Sequence, residues 1–203
     1  MTEDREQTVQ NEERKQMKKE LRKEVLSERD ALPEEYRMES DRKIMDFLLQ
    51  MPEYQCAETI FCFVSMGTEI ETAEFLSRAL RDGKTVAVPR VLSPGRMEAY
   101  RIFGEQDLDA PNRWGIREPK EGCPVVPAEE IDFAVIPCVS MSREGIRLGY
   151  GGGYYDRYLS GIRSGACMAA LCREKSLREN IPEEAFDIRI PAVITELGLF
   201  RID

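Results

Sequence analysis

Arg147-Leu148-Gly149-Tyr150-Gly151-Gly152-Gly153-Tyr154-Tyr155-Asp156 is the stretch on which the reading of this chain turns. Four glycines fall within five residues, with an arginine before them and two tyrosines and an aspartate after them. Upstream, Ile131-Asp132-Phe133-Ala134-Val135-Ile136-Pro137 has the apolar run of a buried strand. Downstream, residues 155–159 suit the first turns of a helix. A glycine turn between strand and helix bares backbone N–H groups, because no Cβ blocks close approach by an anion. An ordinary flexible connection would look the same. The flanking residues tilt the balance. Arg147 brings fixed positive charge, Asp156 a hard oxygen ligand and the tyrosines hydroxyls, a set that suits a magnesium-bound polyphosphate. The stretch is neither a Walker loop, since no Gly-Lys-Ser/Thr follows, nor a dinucleotide fingerprint, since the third glycine is missing.

Outward from this turn, strand and helix patterns alternate. Apolar residues Met17, Leu21, Val25 and Leu32 predict a helix over 17–32, with Lys18, Lys19, Arg22 and Lys23 on its other faces. Pro33, Glu34 and Glu35 open a second helix running to about Gln50, with Ile44, Phe47, Leu48 and Met51 as its buried stripe. A strand over Thr59–Val64 leads to a loop at 65–72 and a helix over Ala73–Arg81, stopped by Asp82-Gly83. Strands follow at Thr85–Val88, which Pro89 is expected to end, and at Met97–Ile102. Residues 103–127 read as a long surface loop of the kind that often carries function. After the glycine turn come a strand at 168–171, a short helix near 175–179 and a last strand at 192–195. The pattern predicts an α/β fold: a three-layer sandwich, its sheet mostly parallel with helices on both faces. Ligands of such sheets bind beyond the carboxyl ends of the strands, so the loops at 65–72 and 138–154 are expected to share one crevice. Residues 1–16 read as a charged extension, frayed or helical, and 17–203 as a single domain.

Composition narrows the chemistry. A net charge of −9 argues against a nucleic-acid partner but not against a local cationic site. The chain has no histidine, which removes Ser-His, Cys-His and histidine–zinc chemistry. The six cysteines form no C-x-x-C pair and read as free thiols in a reducing compartment. No run approaches the ~20 apolar residues of a membrane span. A cytoplasmic location is therefore expected, with no membrane partner.

The segment Arg147-Leu148-Gly149-x-Gly151-x-Gly153-Tyr154-Tyr155-Asp156 resembles the signature of the 5-formyltetrahydrofolate cyclo-ligase family. Weaker resemblances fall in the right order along the chain: Lys18-x-x-Leu21-Arg22, residues 65–72, Trp114-Gly115-Ile116-Arg117-Glu118-Pro119, and Pro182 to Asp187 before the last strand. The resemblance implies a monomeric enzyme that uses ATP and Mg2+ to convert 5-formyltetrahydrofolate, as such or polyglutamylated, into 5,10-methenyltetrahydrofolate, ADP and phosphate. Phosphorylating the formyl oxygen would make it a good leaving group, and the nearby N10 would close the ring. Such chemistry asks for positioning and charge neutralisation more than for side-chain acid–base work.

The resemblance also implies roles. Lys18, Arg22, Asp187 and the run Arg147, Leu148, Gly149, Tyr150, Gly151, Gly152, Gly153, Tyr154 and Tyr155 would contact ATP, with Arg147 and Tyr155 catalytic. Val64, Met66, Glu69 and Trp114 would contact the folate, joined by Tyr150 to Tyr154 of the glycine run. Asp156 and Asp187 would hold the metal. Plainer readings stand beside these. Lys18 and Arg22 could be a solvated helix face, Asp156 and Glu69 acids at helix starts, Val64 and Met66 core residues, and Trp114 a packing anchor. Many relatives carry basic residues within the glycine run; here it is Tyr150-Gly151-Gly152-Gly153, so charge must come from Arg147, Arg22, Lys18 and magnesium. A non-catalytic nucleotide- or folate-binding protein that kept the loop is the alternative.

Overall fold

Side chains from five short apolar runs alternate between the two faces of one sheet, and that alternation builds two cores. The computed structural model describes residues 3–202, with side chains from residue 9 on; residues 1 and 2 of the expected extension lie outside the described residues. In chain order the elements are α1 (Glu3–Asp30), α2 (Glu34–Gln50), α3 (Pro52–Cys56), β1 (Thr59–Cys62), α4 (Ala73–Arg81), β2 (Thr85–Ser93), β3 (Arg96–Ile102), β4 (Val125–Val126), β5 (Phe133–Ile136), β6 (Ser140–Met141), β7 (Arg147–Leu148), α5 (Tyr154–Leu159), β8 (Cys167–Leu171), β9 (Ala192–Thr195) and β10 (Gly198–Arg201). Eight strands form one sheet in the order β10-β9-β8-β5-β1-β2-β3-β4. Its centre, β9-β8-β5-β1-β2, is parallel, and β10, β3 and β4 run antiparallel at the edges.

Ile60, Cys62, Phe133, Val135, Ala169 and Leu171 point into a core with Ile44, Leu48, Phe75 and Leu76 of α2 and α4. Their neighbours Phe61, Ala134, Ile136 and Ala170 point the other way, against Leu159, Tyr155 and Tyr158 of α5. That second face is rich in alanine, and the tyrosines of α5 fill the space; the Phe61 and Tyr158 ring centroids are 4.9 Å apart. The expected α/β sandwich is therefore the observed one.

Local signals act as their chemistry requires. Gly83 takes φ +79° after α4, and the N–H groups of Gly83 and Lys84 donate to the carbonyls of Leu80 and Ala79, a Schellman closure. Asp132, at the entry to β5, accepts from the N–H groups of Glu58 and Thr59 at 2.8 Å each and so fixes the start of β1 beside it.

Several expectations need correction. Pro89 does not end β2, which runs on to Ser93. Pairing with β1 stops at Ala87, so beyond it one edge of β2 is free and a missing N–H costs nothing there. The 103–127 stretch is not all loop. Leu108 bridges Pro119, and Val125–Val126 pairs with β3 as the sheet's edge strand. The helix expected near 175–179 is one 3-10 turn at Glu174–Ser176. The strand at 192–195 is followed by a partner, β10, with Leu199 opposite Ile194. In α1, Met17 is 56 % exposed, whereas Lys18 is 7 % and Val25 1 % exposed, so the helix buries a partly cationic face.

Replacing Asp132 by alanine strands two backbone donors at the start of β1. We expect Asp132→Ala to lower stability by about 1–3 kcal/mol in denaturant titration. Burial raises the Asp132 carboxyl, but the Thr59 and Glu58 N–H groups and Arg163 outweigh it, leaving it below its ordinary value. The contribution is then present at neutral pH and fades as pH falls below the ordinary aspartate value of about 3.9. A gap between wild type and variant that persisted unchanged in strong acid would contradict this.

Candidate functional site

Three strand ends and one helix converge at the carboxyl edge of the sheet. β1 runs into the 65–72 loop, β5 into the β6–β7 hairpin and the glycine loop, and β8 into Arg173. α1 crosses above the hairpin, packing Val25 with Val139, Ile146, Leu148 and Ile181. Lys18, Arg22 and Arg29 share that face of α1, spaced at four, seven and eleven residues. The expected strand–turn–helix is thus interrupted. A short antiparallel hairpin, Ser140 opposite Leu148 and Met141 opposite Arg147, intervenes and sets Arg147 at the mouth of the loop.

Guanidinium groups surround the glycine loop. Arg22 Nε donates to the Gly149 carbonyl at 2.7 Å. Arg157 Nη1 donates to the Gly152 and Gly153 carbonyls, both at 3.1 Å, and to Gly95 at 3.4 Å. Gly151 and Gly153 take φ +93° and +64°, which an L side chain rarely adopts. A Cβ on Gly153 would also stand 2.9 Å from Arg157. With the carbonyls turned to these cations, the backbone N–H groups of residues 150–155 have no acceptor among the described residues. Tyr154 and Tyr158 line an apolar groove beside the loop, floored by Met97, Ala99 and Val126.

The two acids expected to hold metal are engaged by cations of the chain. Asp156 accepts from Arg147 Nη2 through both oxygens, at 2.8 and 2.9 Å, and from the Ile188 N–H at 3.3 Å. Asp187 accepts from Lys18 Nζ at 2.5 Å and from the Glu184 N–H at 2.8 Å, and Lys18 also reaches Glu184 at 2.9 Å. Among the described residues no three acidic, cysteine or histidine side chains converge as a metal site. This donor set does not fit a resident metal ion. Arg147 is buried over Tyr155, its guanidinium carbon 5.6 Å from the ring centroid, and its Nε has no partner. Burial, and after it Glu69 and Cys62, raise the Tyr155 phenol well above its ordinary value, so it stays protonated.

The 65–72 loop presents Glu69. Gly67 at φ +57° turns the chain, the Glu69 N–H donates to the Met66 carbonyl at 3.0 Å, and Glu69 Oε2 accepts from the Met66 N–H at 2.9 Å. Oε1 accepts from the Tyr150 hydroxyl at 2.5 Å, and Arg29 Nη1 donates to the same hydroxyl at 2.9 Å. Tyr150 therefore ties the glycine loop to Glu69. Burial raises the Glu69 carboxyl above its ordinary value, opposed by the bonds from Tyr150 and Met66 and the charges of Arg29 and Arg173. Glu69, Arg29, Pro137, Val139, Cys172 and Arg173 line a small cavity here. Val64 packs against the core under this loop, and Met66 is half-buried on it. Trp114 stands apart: it lies 67 % exposed at the tip of the 108–119 turn, with Arg113 over its ring.

Sequence reasoning missed Arg29, Arg157 and Arg173. Arg29 was legible, since it continues the Lys18–Arg22 face, and Arg157 directly follows the glycine signature. Arg173, at the end of an apolar strand, carried no local signal.

Open amides flanked by guanidiniums at the carboxyl edge of a parallel sheet give this α/β protein a site with the chemistry to receive an anion. A sequence model of the 5-formyltetrahydrofolate cyclo-ligase family matches residues 14–196. The Escherichia coli 5-formyltetrahydrofolate cyclo-ligase is 31% identical over 176 residues, covering 84% of this chain and 96% of that protein. The structure of the Aquifex aeolicus 5,10-methenyltetrahydrofolate synthetase superposes with a TM-score of 0.81 at 30% identity, covering 92% of this chain and 93% of that one. A Mycoplasma pneumoniae 5,10-methenyltetrahydrofolate synthetase, 21% identical, shares the fold with a TM-score of 0.71 over 88% of this chain and 98% of that one. This chain belongs to the 5-formyltetrahydrofolate cyclo-ligase family. These relatives are named as enzymes, so the non-catalytic alternative is not favoured.

Removing Asp156 would leave Arg147 buried without its counter-charge. We expect Asp156→Ala to cost about 3–5 kcal/mol, the loss typical of one partner of a buried pair. Urea titration checks this; a change below 1 kcal/mol would mean that the pair does not hold the hairpin to α5.

Proposed function

We propose that this chain is an ATP-dependent 5-formyltetrahydrofolate cyclo-ligase, with the nucleotide's phosphates at the glycine loop and the pterin at Glu69. The observation that carries the reading is the joining of two different recognition chemistries by Tyr150. On one side lie open amides and guanidiniums suited to phosphate. On the other, a half-buried carboxylate can accept paired hydrogen bonds from a heterocycle's N–H and amino groups.

The formyl oxygen attacks the γ-phosphorus, and ADP departs with the electron pair of the broken P–O bond. N10 then attacks the activated formyl carbon. Phosphate leaves with its oxygen, N10 loses its proton to water, and the 5,10-methenyl bridge remains. This chain's own part is to hold two substrates in line and neutralise charge. Arg22 and Arg157 flank the loop, and Arg147 backs it. Magnesium enters with the nucleotide as part of that substrate, because the carboxylates of Asp156 and Asp187 already answer cations of the chain. Pterin binding displaces the Tyr150 hydroxyl from Glu69. The substrate's aryl portion follows the groove beside Tyr154. The reading extends to a monomer acting in the cytoplasm, in keeping with six free cysteines, three of them buried. No helix among the described residues is long and apolar enough to cross a membrane.

The decisive assay mixes protein, Mg-ATP and 5-formyltetrahydrofolate and follows the absorbance of the methenyl product. Product that requires both protein and ATP supports the reading, and its absence removes it. Within that assay Glu69→Gln should raise the folate KM ten- to a hundredfold, the worth of one charged hydrogen bond at about 1.5–3 kcal/mol, and leave the ATP KM within threefold. An unchanged folate KM would take Glu69 out of the site.

A further inference from the structure

We propose that Arg173 is a positioning residue: its buried guanidinium holds the turn carrying Glu69 in the conformation that receives the pterin. The assignment rests on the reading of Glu69 given above. Arg173 is 3 % exposed and lies just past β8, opposite the 65–72 loop. Its contacts divide into two sets.

One set anchors it to α2. Nε donates to Ser40 Oγ at 3.1 Å and to Asp41 Oδ1 at 2.9 Å, while Nη2 donates to Asp41 Oδ2 at 2.9 Å. The other set grips the loop backbone. Nη1 donates to the Thr68 carbonyl at 2.9 Å and Nη2 to the Glu69 carbonyl at 3.2 Å. A planar fork serves both sets at once, which a lysine ammonium cannot do.

These are the carbonyls of the Glu69 turn itself. The Thr68 side chain is held separately, accepting from Arg29 Nε at 3.1 Å and donating to Asp30 Oδ1 at 2.5 Å. Asp41 Oδ2 also accepts from the Glu71 N–H at 3.1 Å, closing a frame around residues 68–71. Two elements distant in sequence, α2 and the end of β8, thus fix one turn through one side chain. None of these contacts reaches the glycine loop directly, and Arg22 and Arg157 hold that loop's carbonyls independently, so the folate side of the site should depend on Arg173 far more than the nucleotide side.

The test uses the full chain in the methenyl-forming assay, with Glu69→Gln, Arg173→Gln, Arg173→Lys and the double variant Glu69→Gln/Arg173→Gln compared by KM for each substrate. We expect Arg173→Gln to raise the folate KM at least tenfold with the ATP KM within threefold. Arg173→Lys, which keeps the charge beside Asp41 and loses the fork, should lie between it and wild type. The double variant should be no worse for folate than Glu69→Gln by more than threefold, because a misplaced Glu69 and an absent carboxylate are the same loss. Losses that multiply in the double variant would overturn the assignment, as would a parallel rise in both KM values or an unchanged folate KM in a folded Arg173→Gln protein. If neither Arg173 variant folds, the residue is a determinant of the fold and the assignment falls. Should Glu69→Gln itself leave the folate KM unchanged, the reading of Glu69 fails; a raised KM there with none in Arg173→Gln fails only the positioning role.

Discussion

A cation buried in protein has to be matched by acceptors that arrive from elsewhere in the chain, and this fold is organised around four of them. Among the described residues, the charged side chains that are buried are Lys18, Arg29, Arg147 and Arg173, all positive. The chain as a whole carries a net charge of −9. Three are compensated across a long separation, Lys18 by Glu184 and Asp187, Arg29 by Tyr150 and Thr68, and Arg173 by Asp41 and two carbonyls of the 65–72 loop; Arg147 is matched by Asp156, across the glycine loop. An unmatched buried charge costs several kcal/mol, so these pairings fix where α1, the hairpin and the loops can sit. The hydrophobic cores assemble the sheet and its helices; the matched cations determine how the carboxyl edge is furnished.

That arrangement answers a difficulty in the glycine run, which has no basic residue of its own. Charge reaches the loop from outside it. Arg22 comes from α1 and Arg157 from α5, each spending hydrogen bonds on loop carbonyls. Pinning the carbonyls leaves the amides free to point at a ligand, so the cations shape the cradle as well as charge it. Burial lowers the Arg22 guanidinium from its ordinary value against the opposing field of Glu184, and a guanidinium starts so far above neutrality that it keeps its charge at neutral pH. A phosphate arriving here meets fixed charge and bare N–H groups in one place, without a reorganisation of the core beneath.

How much could be read in advance follows from where each feature's cause lies. The parallel sheet was legible because Ile60, Phe61, Val86, Val135 and Val193 mark strands by local pattern alone. The glycine loop was legible because its physics is local too. What escaped was set by partners. Pro89 continues β2 only because β1 has already ended, and Val125–Val126 is a strand only because β3 offers an edge. Lys18 on a charged helix looks like a solvated residue until Glu184 and Asp187 come into view, more than 160 positions away. Arg173 is the extreme case, with every partner remote and no neighbouring residue to announce it.

The same reasoning bears on how the two halves of the site communicate. Tyr150 belongs to the glycine loop, yet its hydroxyl ends on Glu69, with Arg29 as a third member. Burial and the Glu69 charge raise the phenol well above its ordinary value, so it remains a donor at neutral pH. A heterocycle that takes Glu69 Oε1 must compete with that donor for the same lone pairs. What Tyr150 loses in the exchange, the loop loses as a tether. Occupation of the carboxylate therefore loosens the glycine loop's attachment to the 65–72 turn, while Arg22 and Arg157 still hold its carbonyls. Because the coupling runs through one hydroxyl, it is bounded by the worth of one charged hydrogen bond, roughly 1.5–3 kcal/mol. Because Arg22 and Arg157 keep the cradle's carbonyls pinned, the nucleotide side feels only a small part of that bound, and by linkage whatever effect one ligand has on the other must be equal in both directions.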